Sequence, residues 1–457
     1  MSPQTALLIA LGLAVLGFVA GYRRAWSLAG SRKPLHSLPR DHGLWVLLCM
    51  LLPALAFTVL GLAVEGPLID WLLYQGLPES LRGSEERSLL LSRLSNIAGG
   101  GEVLGEVTAA EQAAADQLTM LHRWSDWIIG GGAIALAFGG GLFALPRIDQ
   151  RFRARNRSEQ VILGLLLLAS TIAILTTAGV VFSLLSEALR FFATVNPLDF
   201  LFGLHWSPQT AIRAGQAGAE GAFGVIPVLV GTLLIASIAL LVAVPIGLLS
   251  AIWMVEFAPS RVRSTAKPVI EVLAGVPTVV YGFFAAVTVG PAISDFGQSL
   301  GLDVSAESAL AAGSVMGIMI IPFMSSLADD VISSVPQKLR DGAMMLGATK
   351  GETIFRVLLP AASPGLLSAV VLSASRALGE TMIVVMAAGL SANLTLNPLE
   401  SVTTVTVQIT TALTGDQPFD SPTTLSAFAL GLTLFCITLA LNLFALRVME
   451  RWRERYD

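Results

Sequence analysis

The sequence predicts an all-α, polytopic membrane protein of about nine transmembrane helices. Three observations carry that prediction. Of 457 residues, 54% are hydrophobic and only 13% charged, against about 25% charged in a soluble domain. The mean hydropathy is +0.74. The apolar residues also gather into runs of roughly 20 or more, the length that crosses a bilayer core as a helix.

Nine runs meet that length: residues 4–22, 43–64, 126–146, 160–190, 224–257, 268–294, 309–329, 364–390 and 424–446. The first leads into Arg23 and Arg24 with no small-residue cleavage site, so it reads as a retained span. Several runs are longer than needed and contain proline, which predicts tilting or kinking. Basic residues orient the spans. They cluster at 23–40, 147–157, 261–267, 338–356 and 447–455. The opposite loops at 295–308 and 391–423 have none, and 193–223 has only Arg213. One loop departs from the alternation. Residues 65–125 carry Arg82, Arg87, Arg93 and Arg123 among several acids, and long loops translocate with little regard to charge. The expected arrangement is N-terminus outside, C-terminus in the cytoplasm.

The chain divides at the basic stretch 147–157. Residues 1–150 hold three spans and the polar outside segment 65–125, which reads as two helices near 79–98 and 105–127 split by Gly99-Gly100-Gly101. This part is expected to be an accessory module. Residues 158–457 hold six spans with short loops and nearly all the motifs, and are expected to be the functional core.

Composition excludes several chemistries. Cys49 and Cys436 both fall in predicted spans, so no disulfide framework is expected. His36, His42, His122 and His205 are scattered without metal-ligand spacing. A G-x-x-x-x-G-K-[ST] run is absent, so the chain is not expected to hydrolyse ATP. Neither a metal, a cofactor nor a nucleic-acid partner is expected.

Residues 337–359 form a helical stretch after Pro336 that is too charged for lipid, with Lys338, Arg340, Asp341, Lys350, Glu352 and Arg356. Met344, Met345, Leu346, Ile354, Val357 and Leu358 give it an apolar side, Gly347 supplies a bend, and Pro360 stops it. Two readings are open: a helix docking into a groove of a partner protein, or an interfacial helix lying on lipid headgroups.

The next span carries Arg376 and Glu380 at i,i+4, on one expected helical face with Ser373. A lone arginine at mid-span costs about 2.5–3.5 kcal/mol on translocon scales. Either this face lines a polar pathway, with Glu380 holding Arg376 in place, or the pair staples helices together. Lesser features are read more plainly. Lys267 and Glu271 are a helix-end pair, Asp329 and Asp330 a solvated terminus, and Gly275-Val276-Pro277 a kink. Thr403, Thr404, Thr406, Gln408, Thr410 and Thr411 form an outside polar segment that faces a partner or is a re-entrant or surface loop.

The connector has the spacing of the cytoplasmic loop of ABC-transporter permeases. Asp341-Gly342-Ala343 is followed by Gly347, then Val357, Leu359 and Pro360; Asp stands for the usual Glu, and Gly342 for an Ala. Residues 221–259, the run LAGVPTVVYGFF at 273–284 and SRALGETMIVVMAAG at 375–389 narrow the resemblance. Over about 158–450 the chain resembles the C-type permease subunits of phosphate-specific ABC importers, in the subgroup with an N-terminal extension. The resemblance implies a six-helix permease core in a bacterial inner membrane. It implies coupling to ATPases through Asp341, Gly342, Ala343, Gly347, Leu359 and Pro360, and a pathway lined by Ser373, Arg376 and Glu380. It implies as partners an A-type permease subunit, two ATP-binding subunits, a phosphate-binding protein, and phosphate as the cargo. Alternatives are the sister subunit, a permease for another oxyanion, or a membrane scaffold or signalling component in phosphate sensing.

Overall fold

The computed structural model describes residues 1–29, 35–77, 87–101, 103, 107–210, 220–415 and 418–453. Among them, nine helices are long and apolar enough to cross a membrane. Each overlaps one of the nine runs read from sequence. The described strands form a single antiparallel hairpin of β1 (Trp206–Thr210) and β2 (Glu220–Phe223). The chain falls into two compact units, Met1–Leu175 and Thr176–Asp457. The division lies inside the helix Ala154–Phe192, C-terminal to the basic stretch from which composition divides the chain. That helix runs through because nothing in its sequence interrupts it.

In the first unit, α1 (Pro3–Ala29), α2 (Pro39–Gly76) and α4 (Ala109–Ala144) pack on one another. Their seam is built of small residues: Ala10, Ala54, Ala133 and Ala137 form one buried cluster. Small side chains let helix backbones approach closely where lipid gives no hydrophobic drive. The expected outside helix 105–127 and the span after it are one continuous helix, α4, and α2 likewise continues past its apolar run. Thr108 starts α4 with a capping box to Glu111, whose carboxylate also pairs with Arg93 at 2.9 Å. Arg93 belongs to α3 (Arg87–Ala98), and Leu73, Leu90, Leu94 and Leu118 pack beneath it. The expected helix start at 79–86 lies outside the described residues.

The second unit contains, after α5 (Ala154–Phe192), α6 (Pro197–Phe202) and the hairpin, the long helix α7 (Ile226–Ile252). Then follow α8 (Ser260–Ala274), α9 (Thr278–Phe284), α10 (Gly290–Ser299) and α11 (Ala309–Ser334). Its central seam joins α7 and α11 along most of their lengths. Gly313 and Gly317 on α11 meet Ile238, Ala239 and Val242 on α7 so closely that a methyl at Gly317 would sit 2.7 Å from Val242 Cβ. Ala239, Ala243, Val315, Met316, Met319 and Ile320 fill the core around them.

Two span boundaries differ from the sequence reading. The sixth span begins at Thr278, not 268, because Gly275-Val276-Pro277 ends one helix and starts the next. The amphipathic α8 before it buries none of its residues in the chain. The eighth span ends at Leu378, not 390, because Gly379 caps it. Single π-helical turns interrupt three of the long helices, at Trp253–Phe257, Ala285–Val289 and Ile354–Leu358, a form of turn often found at functional positions.

Candidate functional site

The connector between α11 and the eighth span is two short helices rather than one bent helix. α12 (Gln337–Met345) is followed by a turn and then α13 (Lys350–Thr353), which leads through a π-turn into α14 (Leu359–Leu378). The turn needs a glycine: Gly347 has φ +87°, a region that costs other residues about 1–2 kcal/mol. Three amide bonds close it, Leu346 N to Gly342 O, Gly347 N to Met344 O and Ala348 N to Ala343 O, at 3.2, 3.0 and 3.1 Å. Thr349 then restarts the chain with a capping box to Glu352.

This turn pushes apolar side chains outward. Met345 is 88% exposed and Leu346 91%, with Met344 and Phe355 also exposed beside them. An exposed apolar knob of this kind fits contact with a partner protein or with a membrane surface. Asp341 is exposed and accepts from Gln337 Nε2 at 3.1 Å. Gly342 and Ala343 are half-buried, as are Leu359 and Pro360 at the far end.

The base of the connector is held by a residue that the sequence reading counted only among its charges. Arg340 is 8% exposed. Its Nε bonds the Glu256 carboxylate at 3.0 Å, and its Nη1 and Nη2 donate to the Val335 and Ile332 carbonyls at 2.8 and 2.7 Å. Those carbonyls end α11, so Arg340 caps that helix and ties it to the π-turn of α7. Lys350 reinforces the joint through the Glu256 carbonyl and the face of Phe257.

A second ionic joint lies at the same end. Asp329, expected to be solvated, is 1% exposed. Both its oxygens accept from Arg263 Nη2 at 3.0 Å, and Lys267 bonds it at 2.9 Å and Asp330 also at 2.9 Å. Lys267 therefore pairs with these two aspartates on α11, in place of the expected Glu271. A helical repeat reports neighbours along one helix and is blind to a neighbour on another. The hydrogen bonds to Asp329 and Asp330 raise the Lys267 pKa above its ordinary value.

The structure separates the three residues expected to share a pathway face. Ser373 is fully buried, donating to Ala369 O at 2.8 Å and touching Met324 Sδ at 3.6 Å. Arg376 is exposed and stacks over Phe323, near the middle of α11, at 5.2 Å. Glu380 is half-buried and lies beyond the helix. Its carboxylate accepts from Met382 N at 3.2 Å, at the start of α15 (Met382–Ala387). Arg376 and Glu380 form no ion pair among the described residues. The expected i,i+4 pairing fails because Gly379 ends the helix between them.

The freed backbone at this break is satisfied from elsewhere, as it must be at membrane depth. Thr406 donates to Glu380 O at 2.9 Å. Thr406 lies on α16 (Val405–Thr414), a short helix whose Thr406 and Gln408 are buried, as are Thr403 and the N-cap Thr404 just before it. Its first amide, Val405 N, donates to Thr232 Oγ1 of α7 at 2.9 Å. From Thr403 to Gln408 the threonine-rich stretch is thus a buried element packed on α7 and α17 (Pro422–Arg453), whereas Thr410 is half-buried and Thr411 exposed. Its composition signalled polarity, but only the packing shows that it faces inward.

Two family models match the chain. Residues 6–176 match one described as phosphate ATP-binding cassette transporter. Residues 243–454 match the binding-protein-dependent transport system inner membrane component. The probable ABC transporter permease protein YqgH of Bacillus subtilis is 34% identical over 286 residues, covering 62% of this chain and 86% of the relative. The phosphate transport system permease protein PstC 1 of Mycobacterium tuberculosis is 33% identical over 283 residues, covering 56% and 83%. A solved bacterial alginate ABC transporter chain is 18% identical, with a TM-score of 0.48 over 65% of this chain and 96% of that one.

Proposed function

The chain belongs to the ABC importer permeases of the PstC kind and is a transmembrane permease subunit, and from that premise we propose that its cargo is phosphate. The phosphate named in the N-terminal family and in the relatives supports this cargo. The proposal includes the basic-loop orientation, with the C-terminus and the connector in the cytoplasm. In that orientation Asp341, Gly342, Ala343 and Gly347 meet an ATP-binding subunit, and Leu359 and Pro360 pass its movement into α14. A second permease subunit of the A type completes the pathway, two ATP-binding subunits drive it, and a phosphate-binding protein loads it from outside. Residues 1–150 are an accessory module in this reading.

The observation that carries the coupling role is the exposed Met344-Met345-Leu346 knob on a base fastened by Arg340 and Glu256. A knob on a rigid base transmits force; the same knob on a loose loop would not. Arg376 is the pathway residue of the proposal, offering a planar cation to an oxyanion. Glu380 shapes the break beside it rather than neutralising it. Ser373 is left to packing.

The test is phosphate uptake by cells lacking the chain, complemented with the wild type, Arg376→Ala or Glu380→Ala. Wild type restores uptake. Arg376→Ala, still assembled, lowers it ~tenfold or more, the loss of one charged hydrogen bond at about 1.5–3 kcal/mol. Full uptake by an assembled Arg376→Ala transporter defeats the pathway assignment, and no restoration by the wild type defeats the phosphate reading.

A further inference from the structure

The buried polar groups between the hairpin and the helix break form two hydrogen-bonded sets, joined by the backbone of α16. Trp206 Nε1, on β1, donates to Gln408 Oε1 at 2.8 Å. Gln408 Nε2 donates in turn to the Leu390 carbonyl at 2.9 Å and to Thr403 Oγ1 at 3.1 Å. Both amide hydrogens and the amide oxygen are committed, so the side chain has one orientation. Two residues earlier, the single proton of the Thr406 hydroxyl goes to the Glu380 carbonyl. Its contact with Thr404 Oγ1 at 3.1 Å is therefore one in which Thr406 accepts. Residues two apart point about 200° apart around a helix. α16 thus holds the hairpin with one face and the break with the other.

We propose that Thr406 and Gln408 are positioning residues for transport. α16 is a strut that sets the conformation of Gly379–Thr381, and through it the places of Glu380 and Arg376, in step with the hairpin. The role of those two residues in moving phosphate rests on the function proposed above; the strut itself does not. Leaving either set partly satisfied is costly, and both are anchored on α16, so a movement of α16 carries the hairpin and the break with it. A side chain needed only to fill space at 408 would tolerate methionine, whereas a strut requires the amide.

The experiment uses the complete transporter, this chain with its partner subunits, in lipid nanodiscs. The variants are Gln408→Met, Trp206→Phe, Thr406→Val and Thr406→Ser. Hydrogen exchange of the amides at 379–382 needs no substrate. Thr406→Val is expected to speed it ~tenfold or more, the loss of one buried hydrogen bond to the break, and Gln408→Met to speed it too, by removing the three bonds that hold the other face of α16. Thr406→Ser keeps the hydroxyl and exchanges as the wild type does. In proteoliposomes supplied with phosphate-binding protein, Gln408→Met lowers the maximal uptake rate ~fivefold or more without moving KM, because capture happens outside this chain. Unchanged exchange at 379–382 in Gln408→Met and Thr406→Val overturns the proposal, as does Thr406→Ser behaving like Thr406→Val. If Gln408→Met does not assemble, Trp206→Phe, which keeps an aromatic ring and loses the donor with part of the indole's volume, decides by the same exchange measurement. Absent uptake in the wild-type complex would defeat the phosphate reading and leave the exchange result standing.

Discussion

Replacing Arg340 with methionine should loosen the connector without unfolding the protein. Methionine fills the space of the arginine stem but donates nothing. Four acceptors lose a hydrogen bond: the Glu256 carboxylate, the carbonyls of Val335 and Ile332, and Gln337 Oε1. Removing one member of a buried ion pair costs about 3–5 kcal/mol. The Glu256 side chain is 13% exposed, so water recovers part of this, and ~2–4 kcal/mol is the expected local loss. That is ~30- to ~1,000-fold faster opening at 1.4 kcal/mol per tenfold. Hydrogen exchange of amides 335–346 in the purified transporter measures it directly. Glu256→Gln keeps an acceptor oxygen and should lose about 1 kcal/mol. The double variant Arg340→Met with Glu256→Leu should recover much of the loss, since no buried charge remains unpaired. Exchange in Arg340→Met equal to wild type would refute the reasoning. An equal rise across the whole chain would also refute it, because the joint is argued to be local.

Other predictions follow from single contacts. Gly317→Ala places a methyl 2.7 Å from Val242 Cβ and 2.9 Å from the Ala239 carbonyl. It should lower the thermal midpoint of the purified protein by the equivalent of ~1–3 kcal/mol, and an unchanged midpoint would show that the α7–α11 seam is looser than it looks. Gly347→Ala forces a side chain into φ +87° and should destabilise the connector turn by about 1–2 kcal/mol, read as faster exchange at 344–349 with the spans unaffected. The Lys267 pKa is raised in the folded protein by Asp329 and Asp330. Its contribution is therefore fully present below the unfolded lysine value of about 10.4 and fades as pH climbs through the higher folded value. Above about pH 10.4 the wild type should lose stability more steeply than Lys267→Met; parallel pH curves would remove this joint from the account.

Much of the fold was legible because span length and apolarity are local properties. All nine runs correspond to helices of spanning length, and the basic connector stood out because charge is excluded from lipid. Gly347 was recognised as a bend, although whether it would bend one helix or separate two depended on the capping bonds around it. The pathway face was legible only in part. The i,i+4 rule assumed a continuous helix through Glu380, and Gly379, a common C-terminal cap, was the signal that argued otherwise. Asp329 read as a solvated end because its two cations come from α8, 66 and 62 residues earlier in the chain.

By itself the sequence determined the number of spans, the polar connector, and the motifs that mark an ABC permease. These depend on composition and on spacing within a few turns of helix. Tertiary structure alone decided the rest: that Arg340 fastens the connector through Glu256, that Ser373 is buried while Arg376 is exposed, and that Thr406 and Gln408 face inward. The physical reason is common to all three. The deciding contacts, Arg340 with Glu256, Ser373 with Met324, Arg376 with Phe323, Thr406 with Glu380 and Gln408 with Trp206, each join residues dozens apart in the chain, where no local period can point.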